Sequence, residues 1–294
     1  MRIVVTGASG FIGSALVSHL RALSADVHVI ARQHSDASAL PPTVSIHRHD
    51  GSTGDLVTAL QRIQPDIVVH LASLFLADHT PEQVSDLVAS NLAFGCQLLE
   101  AARLAHVRRI VNTGTCWQHF ETEAVRPVNL YAATKQAFEA LLDYYHDAYD
   151  ISQITLKLCD TYGPGDRRRK LINILLEAAF SGNKLDMSPG EQILDLTYID
   201  DIVLAYERAI ALLMSAETKF SGKFLISGSR HSLQEVASIV EEVTGRQIDR
   251  TFGARPYRRR EVMIPASGVE SRLPGWAPVF GLRAGLAQML KGRR

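Results

Sequence analysis

The stretch that decides the fold is the start of the chain, MRIVVTGASGFIGSAL (residues 1–16). The apolar run at residues 2–6 predicts a buried strand, three glycines fill the turn after it, and the next residues carry helical apolar spacing. The glycines Gly7, Gly10 and Gly13 let the backbone approach a pyrophosphate, and the amides and dipole of the helix start attract that anion. The stretch therefore predicts a dinucleotide site. The spacing is G-x-x-G-x-x-G rather than G-x-G-x-x-G, and a tight turn without a ligand is the alternative.

A second motif lies in the segment LYAATKQAFE (residues 130–139), where Tyr131 and Lys135 stand four residues apart. On a helix these two positions share one face, so the phenol and the ammonium can enter the same pocket. A free tyrosine titrates near pH ~10, and a nearby cation is expected to lower its pKa. The pair therefore indicates proton chemistry, although the same spacing is common on solvated helix faces.

Strand and helix patterns alternate through the first half of the chain. Further strands are predicted at residues 26–31, 44–47, 66–71, 109–113 and 154–158. Helices are predicted at residues 53–63, 84–106 and 131–149. This alternation predicts an α/β fold with a Rossmann-type, doubly wound parallel sheet and a smaller C-terminal lobe for the substrate. We expect the dinucleotide-binding domain at residues 1–160 and the lobe mainly at 161–294, with segments that cross back to the sheet.

The composition excludes several classes of partner. The chain has 31 Lys and Arg residues against 31 Asp and Glu, so no overall field attracts nucleic acid or an anionic membrane. No apolar run reaches the ~18 residues that a spanning helix needs. The first core strand begins at residue 2, which leaves no room for a signal peptide, and a cytoplasmic location is expected.

The three cysteines, Cys96, Cys116 and Cys159, are odd in number and scattered, which is typical of reduced, buried thiols. Cys116 lies just after a predicted strand near the proposed site. It has no metal-ligand spacing, and we interpret it as a packing residue. No metal site is predicted.

The glycine turn, the Tyr-x-x-x-Lys pair and the distance between them resemble the extended short-chain dehydrogenase/reductase family, which includes the NAD-dependent epimerase/dehydratase enzymes. The resemblance implies a serine or threonine that holds the reacting oxygen. Aligning RIVNTGTCWQ (residues 109–118) with the end of the family's strand places Thr113 in that role, with Thr115 as the alternative. Asn91 matches the asparagine on the family's long central helix and is expected to hold that helix open for a water near Lys135.

The end of the second predicted strand bears on the cofactor. NAD enzymes usually offer a carboxylate there, whereas an arginine suits the 2′-phosphate of NADP. Ala31 stands at that position and Arg32 is the next residue, so NADP(H) is predicted to be preferred, with NAD(H) use as the alternative. The resemblance assigns the adenine contact to Asp50. The residues expected around the cofactor are Gly7, Ser9, Gly10, Phe11, Ile12, Gly13, Arg32, Asp50, Gly51, Leu71, Ala72, Ser73, Tyr131 and Lys135.

The second half of the chain carries the features expected of the substrate side. In ILDLTYIDD (residues 193–201), Leu194 replaces an arginine that commonly clasps the substrate's diphosphate in the family. Two basic runs, at residues 167–170 and 255–260, can replace that contact, although a charge run is often only a solvated face. The predicted substrate residues are Thr115, Asp160, Lys170 and Arg258.

The loop after the predicted strand at residues 109–113 narrows the reaction. The Asp-Glu pair of the family's dehydratases is absent there, which argues against dehydration. The segments NTGTCWQH (residues 112–119) and PVNLYAATK (residues 127–135) are most similar to the CDP-abequose synthase branch of the 4-ketoreductases. That similarity implies NAD(P)H-dependent reduction of the C4 keto group of a nucleotide-linked 4-keto-6-deoxy or dideoxy hexose. Tyr131 would donate the proton, with Lys135 behind it.

Two other functions stay open from the sequence. One is a nucleotide-sugar 4-epimerase that retains NAD, and the other is a non-catalytic NAD(P)-binding sensor. The family resemblance also implies a homodimer. The base, the sugar and the stereochemistry at C4 depend on loops that the sequence does not place.

Overall fold

The computed structural model describes residues 1–291 except 123, 267 and 269. Its strands, in chain order, are β1 Arg2–Thr6, β2 Asp26–Arg32, β3 Ser45–His49, β4 Ile67–His70, β5 Arg109–Thr115, β6 Ser152–Leu158, β7 Asp160–Tyr162, β8 Leu185–Asp186, β9 Ile193–Tyr198, β10 Ser221–Ile226, β11 Ser229–Ser232, β12 Arg250–Thr251 and β13 Ser271–Arg272. Eight of them form one sheet in the order β13-β10-β6-β5-β4-β1-β2-β3. All its neighbouring strands are parallel. The predicted Rossmann-type fold is confirmed.

Helices cover both faces of this sheet. They are α1 Phe11–Ala22, α2 Thr53–Ile63, α3 Val84–Val88, α4 Phe94–Leu104, α5 Leu130–Tyr149, α6 Leu171–Ser181, α7 Ile199–Ser215, α8 Leu233–Thr244 and α9 Leu282–Leu290. A π-helical turn, Ala89–Ala93, joins α3 to α4. One core contains α1 and α7, and a second contains α2, α4 and α5. Because strand side chains alternate between faces, Val5 belongs to the first core and Val4 to the second.

The topology puts the site at the carboxyl ends of the strands. The chain crosses in opposite directions from β1, which has β2 on one side and β4 on the other. Ligands of open α/β sheets bind at such a switch point. The loops after β1, β4 and β5 therefore meet where the glycine turn and the start of α5 lie.

The chain after residue 160 does two things. β10 pairs with β6 and β13 pairs with β10, so this part returns to the main sheet. It also builds two small sheets, β11-β9-β7 and β12-β8. The predicted domain boundary at residue 160 stays a prediction. Among the described residues, no helix has the length and apolar character required to cross a membrane.

Candidate active site

The glycine turn packs closely against the protein's own backbone. Gly7 has a φ of +70°, and a Cβ there would lie 2.5 Å from the Ala72 nitrogen. A Cβ on Gly13 would clash with the Gly7 carbonyl oxygen. The Gly10 N–H donates to that same oxygen at 3.0 Å, and α1 begins at the next residue with no acidic side chain in its first turn. The turn fits a dinucleotide pyrophosphate, because anions are stabilised at an uncompensated helix start.

Two buried residues missed in the sequence hold this turn against the loop after β4. The Thr6 hydroxyl accepts from the Ala72 N–H at 3.2 Å and lies 2.8 Å from Nδ1 of His70. Burial, with a smaller contribution from Lys135, lowers the pKa of His70 to about 3. His70 is therefore neutral and acts as a hydrogen-bonding partner of Thr6. The sequence signal for these two residues was a polar side chain at the end of an otherwise apolar strand, Thr6 in β1 and His70 in β4.

The end of β2 carries the basic residues that bear on cofactor choice. Arg32 is exposed, and Ala31 lies opposite Arg48 on β3. Nη1 of Arg48 donates to the carbonyl oxygens of Arg32, Gln33 and Ser35 at 3.0, 2.7 and 3.2 Å. Arg48, which the sequence did not single out, therefore braces the loop that starts at Arg32.

Asp50 lies at the end of β3 and is exposed. Its Oδ1 accepts from the Ser52 N–H at 2.8 Å, and its own N–H donates to Oδ2 of Asp55 at 3.0 Å. Gly51 between them has a φ of +95°. The Asp50 carboxylate thus stabilises the turn into α2, and its adenine contact stays a prediction.

Tyr131 lies in the first turn of α5. The Asn129 side chain caps this helix by accepting from the Ala132 N–H at 2.9 Å, and it also donates to the Ala77 carbonyl oxygen at 2.8 Å. The Phe75 ring meets the Tyr131 ring edge-on with centroids 5.0 Å apart, and Tyr131 is only 9% exposed. The cap therefore positions the phenol next to the loop that extends from β4.

The environment of the phenol corrects one expectation. Burial raises the pKa of Tyr131 to about 12, although a hydrogen bond with Ser73 and the charge of Arg168 act to lower it. The net lowering of this pKa that was expected from a neighbouring cation is therefore wrong, because loss of solvation on burial outweighs the groups that favour the phenolate. Tyr131 is protonated at neutral pH, as a proton donor must be.

Lys135 lies one helical turn beyond Tyr131 and is 2% exposed. Burial lowers the pKa of its ammonium to about 8, and the charge of Glu139 opposes that change. Tyr131, Lys135 and Glu139 are spaced by four residues on α5, so all three share one face of the helix. Sequence reasoning missed Glu139, although the spacing of four was visible.

Glu139 is buried and compensated from several elements. Its Oε1 accepts from Nε2 of Gln118 at 2.8 Å, and its Oε2 lies 3.7 Å from Nζ of Lys157 on β6 and 3.4 Å from Nζ of Lys223 on β10. Lys157 also pairs with Glu270 at 2.6 Å. These ion pairs stabilise Glu139, which lies one helical turn beyond Lys135 on α5.

Asn91 ties the helix region to the loop after β4. It is buried within the π-helical turn, where the helix is wider than an α-helix. Its Oδ1 accepts from the Ser73 hydroxyl at 3.1 Å and the Leu74 N–H at 2.7 Å. Its Nδ2 donates to the Leu74 oxygen at 2.9 Å and to the Thr134 hydroxyl at 3.1 Å. Asn91 therefore positions Ser73, which bonds Tyr131; the water predicted near Lys135 stays a prediction.

The two candidate threonines differ in what their hydroxyls do. The Thr113 hydroxyl donates to the His70 carbonyl oxygen at 2.9 Å and lies 2.6 Å from the Tyr206 hydroxyl on α7. Its one proton is thus used inside the fold. Thr115, the last residue of β5, accepts from the Trp117 N–H at 3.3 Å, and no described residue accepts its hydroxyl proton. Strand β5 ends two residues later than predicted, at Thr115, which is the alternative candidate. Thr115 therefore lies next to the wall of the cavity beyond the strand ends.

A cavity of about 770 Å³ lies beyond the ends of β5 and β6. The predicted residues Asp160, Lys170 and Arg258 all line it, whereas Thr115 is buried beside it. Nζ of Lys170 lies 3.2 Å from Oδ1 of Asp160 and 4.1 Å from the Phe75 ring centroid. The Arg258 guanidinium lies 5.9 Å from the Trp117 ring centroid. The structure therefore brings three of the four predicted substrate residues to one cavity.

The acidic and basic side chains around this cavity differ in whether they have an ionic partner. Each carboxylate in its lining has an ionic partner within 4 Å; these are Asp160, Asp166, Asp186, Asp195 and Glu261. Of the cations in the lining, Arg169, Arg255 and Arg260 have no such partner among the described residues. Nε of Arg260 is also buried without a hydrogen-bond partner there. The cavity therefore has positive charge to spare at the place where Leu194 replaces the family's arginine.

Comparison with known proteins agrees with this geometry. The model of the NAD dependent epimerase/dehydratase family matches residues 3–219. The chain belongs to this family. The predicted resemblance is thereby confirmed, as is the prediction of an enzyme.

Individual family members match most of the chain. The CDP-abequose synthase of Yersinia pseudotuberculosis is 30% identical, over 90% of this chain and 92% of that protein. The CDP-abequose synthase of Salmonella typhimurium is 25% identical, over 98% of this chain and 97% of its own. The UDP-glucose 4-epimerase of Mycolicibacterium smegmatis is 29% identical, over 71% of this chain and 73% of that protein.

Among solved structures, MoeE5 in complex with UDP-glucuronic acid and NAD superposes with a TM-score of 0.85 at 29% identity. The match covers 100% of this chain and 99% of MoeE5.

Proposed function

We propose that this enzyme reduces the C4 keto group of a nucleotide-linked 4-keto-6-deoxy or dideoxy hexose. One observation carries the proposal: the Tyr131 phenol is buried and protonated, and neither β5 nor the three residues directly after it, 109–118, carry a carboxylate. A carboxylate pair at these positions would serve dehydration, whereas a lone phenol serves protonation of a keto oxygen. The likeness to two CDP-abequose synthases over nine-tenths or more of the chain supports the same reaction.

In the proposed reduction, each residue of the site has a separate role. When bound, the reduced nicotinamide supplies the hydride for C4. Tyr131 donates its proton to the oxygen that becomes the alcohol, and the Lys135 ammonium beyond it stabilises the phenolate left behind. Thr115 has the better claim than Thr113 to hold the oxygen, because its proton is not already donated within the fold. Asn91 and Ser73 keep the phenol in position.

We further propose that NADP(H) is preferred over NAD(H). Arg32 is exposed at the end of β2, the neutral Ala31 precedes it, and Arg48 holds the adjoining loop by three carbonyl contacts. A 2′-phosphate would therefore meet cations rather than a carboxylate. Measured dissociation constants for NADPH and NADH test this directly, and tighter binding of NADH would contradict it. The use of NADPH also agrees with a proposed location in the cytoplasm.

The substrate side of the proposal rests on the spare positive charge of the cavity. A nucleotide diphosphate carries two negative groups, which Arg169, Arg255 and Arg260 can pair without breaking an existing ion pair. Aromatic rings at Phe75 and Trp117 offer an apolar surface to the sugar. We therefore place the diphosphate near the arginines and the sugar against the Phe75 and Trp117 rings, on the side of Tyr131.

A nucleotide-sugar 4-epimerase that retains NAD is the second candidate. It is favoured by the likeness to the Mycolicibacterium smegmatis epimerase and by the whole-chain superposition on MoeE5 with UDP-glucuronic acid and NAD. Such an enzyme would use Tyr131 and Lys135 in the same positions. A non-catalytic sensor is disfavoured, since Tyr131 and Lys135 are both present and buried.

A homodimer is also proposed. Apolar side chains are exposed on three neighbouring helices: Val84 and Val88 on α3, Leu104 on α4 and Tyr144 on α5. Pairing of these helices between two copies would bury them. The molar mass from light scattering tests this, and a monomer at high concentration would contradict it.

The proposed reaction is tested by a panel of CDP-, dTDP-, GDP- and UDP-linked 4-keto-6-deoxy hexoses. With NADPH present, at least one of them should be reduced with loss of one cofactor per sugar. If instead UDP-hexoses interconvert at C4 with no net loss of NADPH, the epimerase replaces the reductase as the function.

A further inference from the structure

Two of the three cysteines lie side by side at the wall of the substrate cavity. β5 and β6 are parallel neighbours, and their register puts Thr115 opposite Leu158. The next residue of each chain segment is a cysteine, Cys116 after β5 and Cys159 after β6. Both are partly exposed and both line the cavity. The long sequence separation between them hides this pairing, and the interpretation of Cys116 as a packing residue misses it.

The two thiols are close enough to act on each other. A hydrogen bond with Cys116, together with burial, raises the pKa of the Cys159 thiol well above its usual range. Adjacent strands are spaced by about 4.8 Å. Disulfides are accommodated at Cα separations of about 4.4–6.8 Å, so residues at matched positions on such strands can be bridged with little backbone movement.

We propose that Cys116 and Cys159 are a dithiol modification site, which peroxide converts to an intramolecular disulfide and which controls access to the sugar half of the cavity. This site goes beyond the proposed reaction, and its formation does not depend on which sugar is reduced. Only its effect on turnover rests on the proposed function.

The oxidation balances with hydrogen peroxide as the oxidant. One thiolate attacks a peroxide oxygen; an S–O bond forms, the O–O bond breaks, and hydroxide leaves and takes up the proton released by the thiol. The second thiol attacks the sulfenic sulfur; the S–S bond forms, the S–O bond breaks, and water leaves. Two thiols lose two electrons and two protons, and one peroxide becomes two waters.

The position of Cys116 connects this change to the cavity wall. The Trp117 N–H donates to the Thr115 hydroxyl, and the Trp117 ring packs on Phe75 with centroids 5.6 Å apart. Phe75 in turn contacts Tyr131. A disulfide would hold the Cys116 side chain against Cys159 and would thereby change the surface of the cavity directly beside the Trp117 and Phe75 rings.

Intact-mass analysis with peptide mapping tests the site without any substrate. After peroxide treatment the unmodified chain should lose two hydrogens in a Cys116–Cys159 peptide, and dithiothreitol should restore them. Cys96 lies on α4 outside the cavity lining, so Cys96→Ser should behave like the unmodified chain. Cys116→Ser and Cys159→Ser should each abolish the mass loss and gain oxygen on the remaining thiol instead. A bridge that involves Cys96, or three thiols left unbridged, would overturn the proposal.

A second measurement covers variants that fold poorly. Phenylarsine oxide binds two adjacent thiols, and one equivalent should bind the unmodified, reduced chain and be released by a dithiol but not by a monothiol. No tight binding would overturn the dithiol. If the disulfide forms while turnover of the sugar continues unchanged, control of the cavity is overturned and the modification site stands. A chain that reduces no sugar leaves the mass result unaffected, so the two proposals fail separately.

Discussion

On the cofactor side of the site the polar side chains are buried and already bonded to one another, whereas the substrate cavity is lined by cations of which three have no ionic partner among the described residues. Asn91 makes four hydrogen bonds, and Thr6 bonds both His70 and Ala72. Arg258, in contrast, is half exposed, and its ionic partner Glu261 lies 3.8 Å away. Buried, satisfied groups fix geometry, whereas exposed charges can adjust to a ligand. Changes on the first side should therefore affect turnover, and changes on the second should affect substrate affinity.

The largest effect is expected at the phenol. Tyr131→Phe should lower turnover by about 10²- to 10⁴-fold, the usual contribution of a positioned proton donor, and should leave NADPH affinity unchanged. Tyr144→Phe on the exposed face of the same helix is the matched control and should be neutral. Single-turnover rates and cofactor titrations measure both. Equal activity of Tyr131→Phe and the unmodified enzyme would remove the phenol from the mechanism.

Removal of Lys135 should show how much its buried charge destabilises the folded protein. Its folded pKa of about 8 is below the ordinary 10.5, so the folded state binds fewer protons between these values and stability from this group rises as pH rises. The difference corresponds to about 3 kcal/mol at pH 7. Lys135→Met should therefore abolish turnover and yet raise the free energy of unfolding at pH 7, with a gain that shrinks toward pH 10.

Lys223→Met is a control for which the opposite change in the free energy of unfolding is expected. Burial acts to lower the pKa of Lys223, but Asp143 and Glu139 outweigh it and raise the pKa. Stability from this group is present at neutral pH and is lost as pH rises through the folded pKa, so its removal should destabilise the protein at pH 7. Urea unfolding of both variants at pH 7 and 9 decides, and the same sign for both would contradict the account of the buried network.

The glycine turn is expected to come next. Gly7→Ala places a Cβ on a residue with positive φ and against the Ala72 nitrogen, which should cost about 1–3 kcal/mol of stability and most of the cofactor affinity. Gly54→Ala in α2 meets no atom within 4 Å and should be neutral or slightly stabilising. Thermal unfolding with and without NADPH compares them. Full cofactor affinity in Gly7→Ala would argue that the pyrophosphate lies elsewhere.

The smallest effects should occur in the cavity. Arg260→Gln should raise the KM for the nucleotide sugar by about tenfold with kcat nearly unchanged. Nε of Arg260 has no hydrogen-bond partner among the described residues. A hydrogen bond from this guanidinium to a substrate phosphate would contribute about 1.5–3 kcal/mol to binding. Arg258→Gln should have a smaller effect, because Glu261 already holds that side chain. The exposed Arg259 does not line the cavity, and Arg259→Gln should be neutral. A fall in kcat instead would show that this side also positions the reacting carbon.

The same contrast explains what could be predicted from the sequence. The strands, the glycine turn and the Tyr131 and Lys135 pair depend on contacts within a few residues, and helix α2 was predicted at its observed bounds. Strand β5 extends two residues beyond its predicted end, to Thr115. Thr113 was assigned by alignment with the family, and the choice between Thr113 and Thr115 stays a prediction. The pKa of Tyr131 could not be predicted from a neighbouring cation, because burial by distant segments dominates it.

Long-range contacts account for the rest. Glu139 is compensated by lysines 18 and 84 residues away in the chain, and the cavity combines segments from Phe75 to Pro265. Cys116 and Cys159 meet only because β5 and β6 are neighbours. No local pattern reports such pairings, so they required the structure.

The most direct test of the central claim tracks one hydrogen atom. NADPH that carries deuterium at the transferred position of the nicotinamide should be supplied with the 4-keto sugar that the panel identifies, and the product examined by NMR. The proposed reduction predicts one deuterium at C4 of the product for each NADPH consumed, both in the unmodified enzyme and, at a rate lower by about 10²- to 10⁴-fold, in Tyr131→Phe. Turnover at C4 with no deuterium gained from the added cofactor would contradict it, since an epimerase returns its own hydride to the sugar.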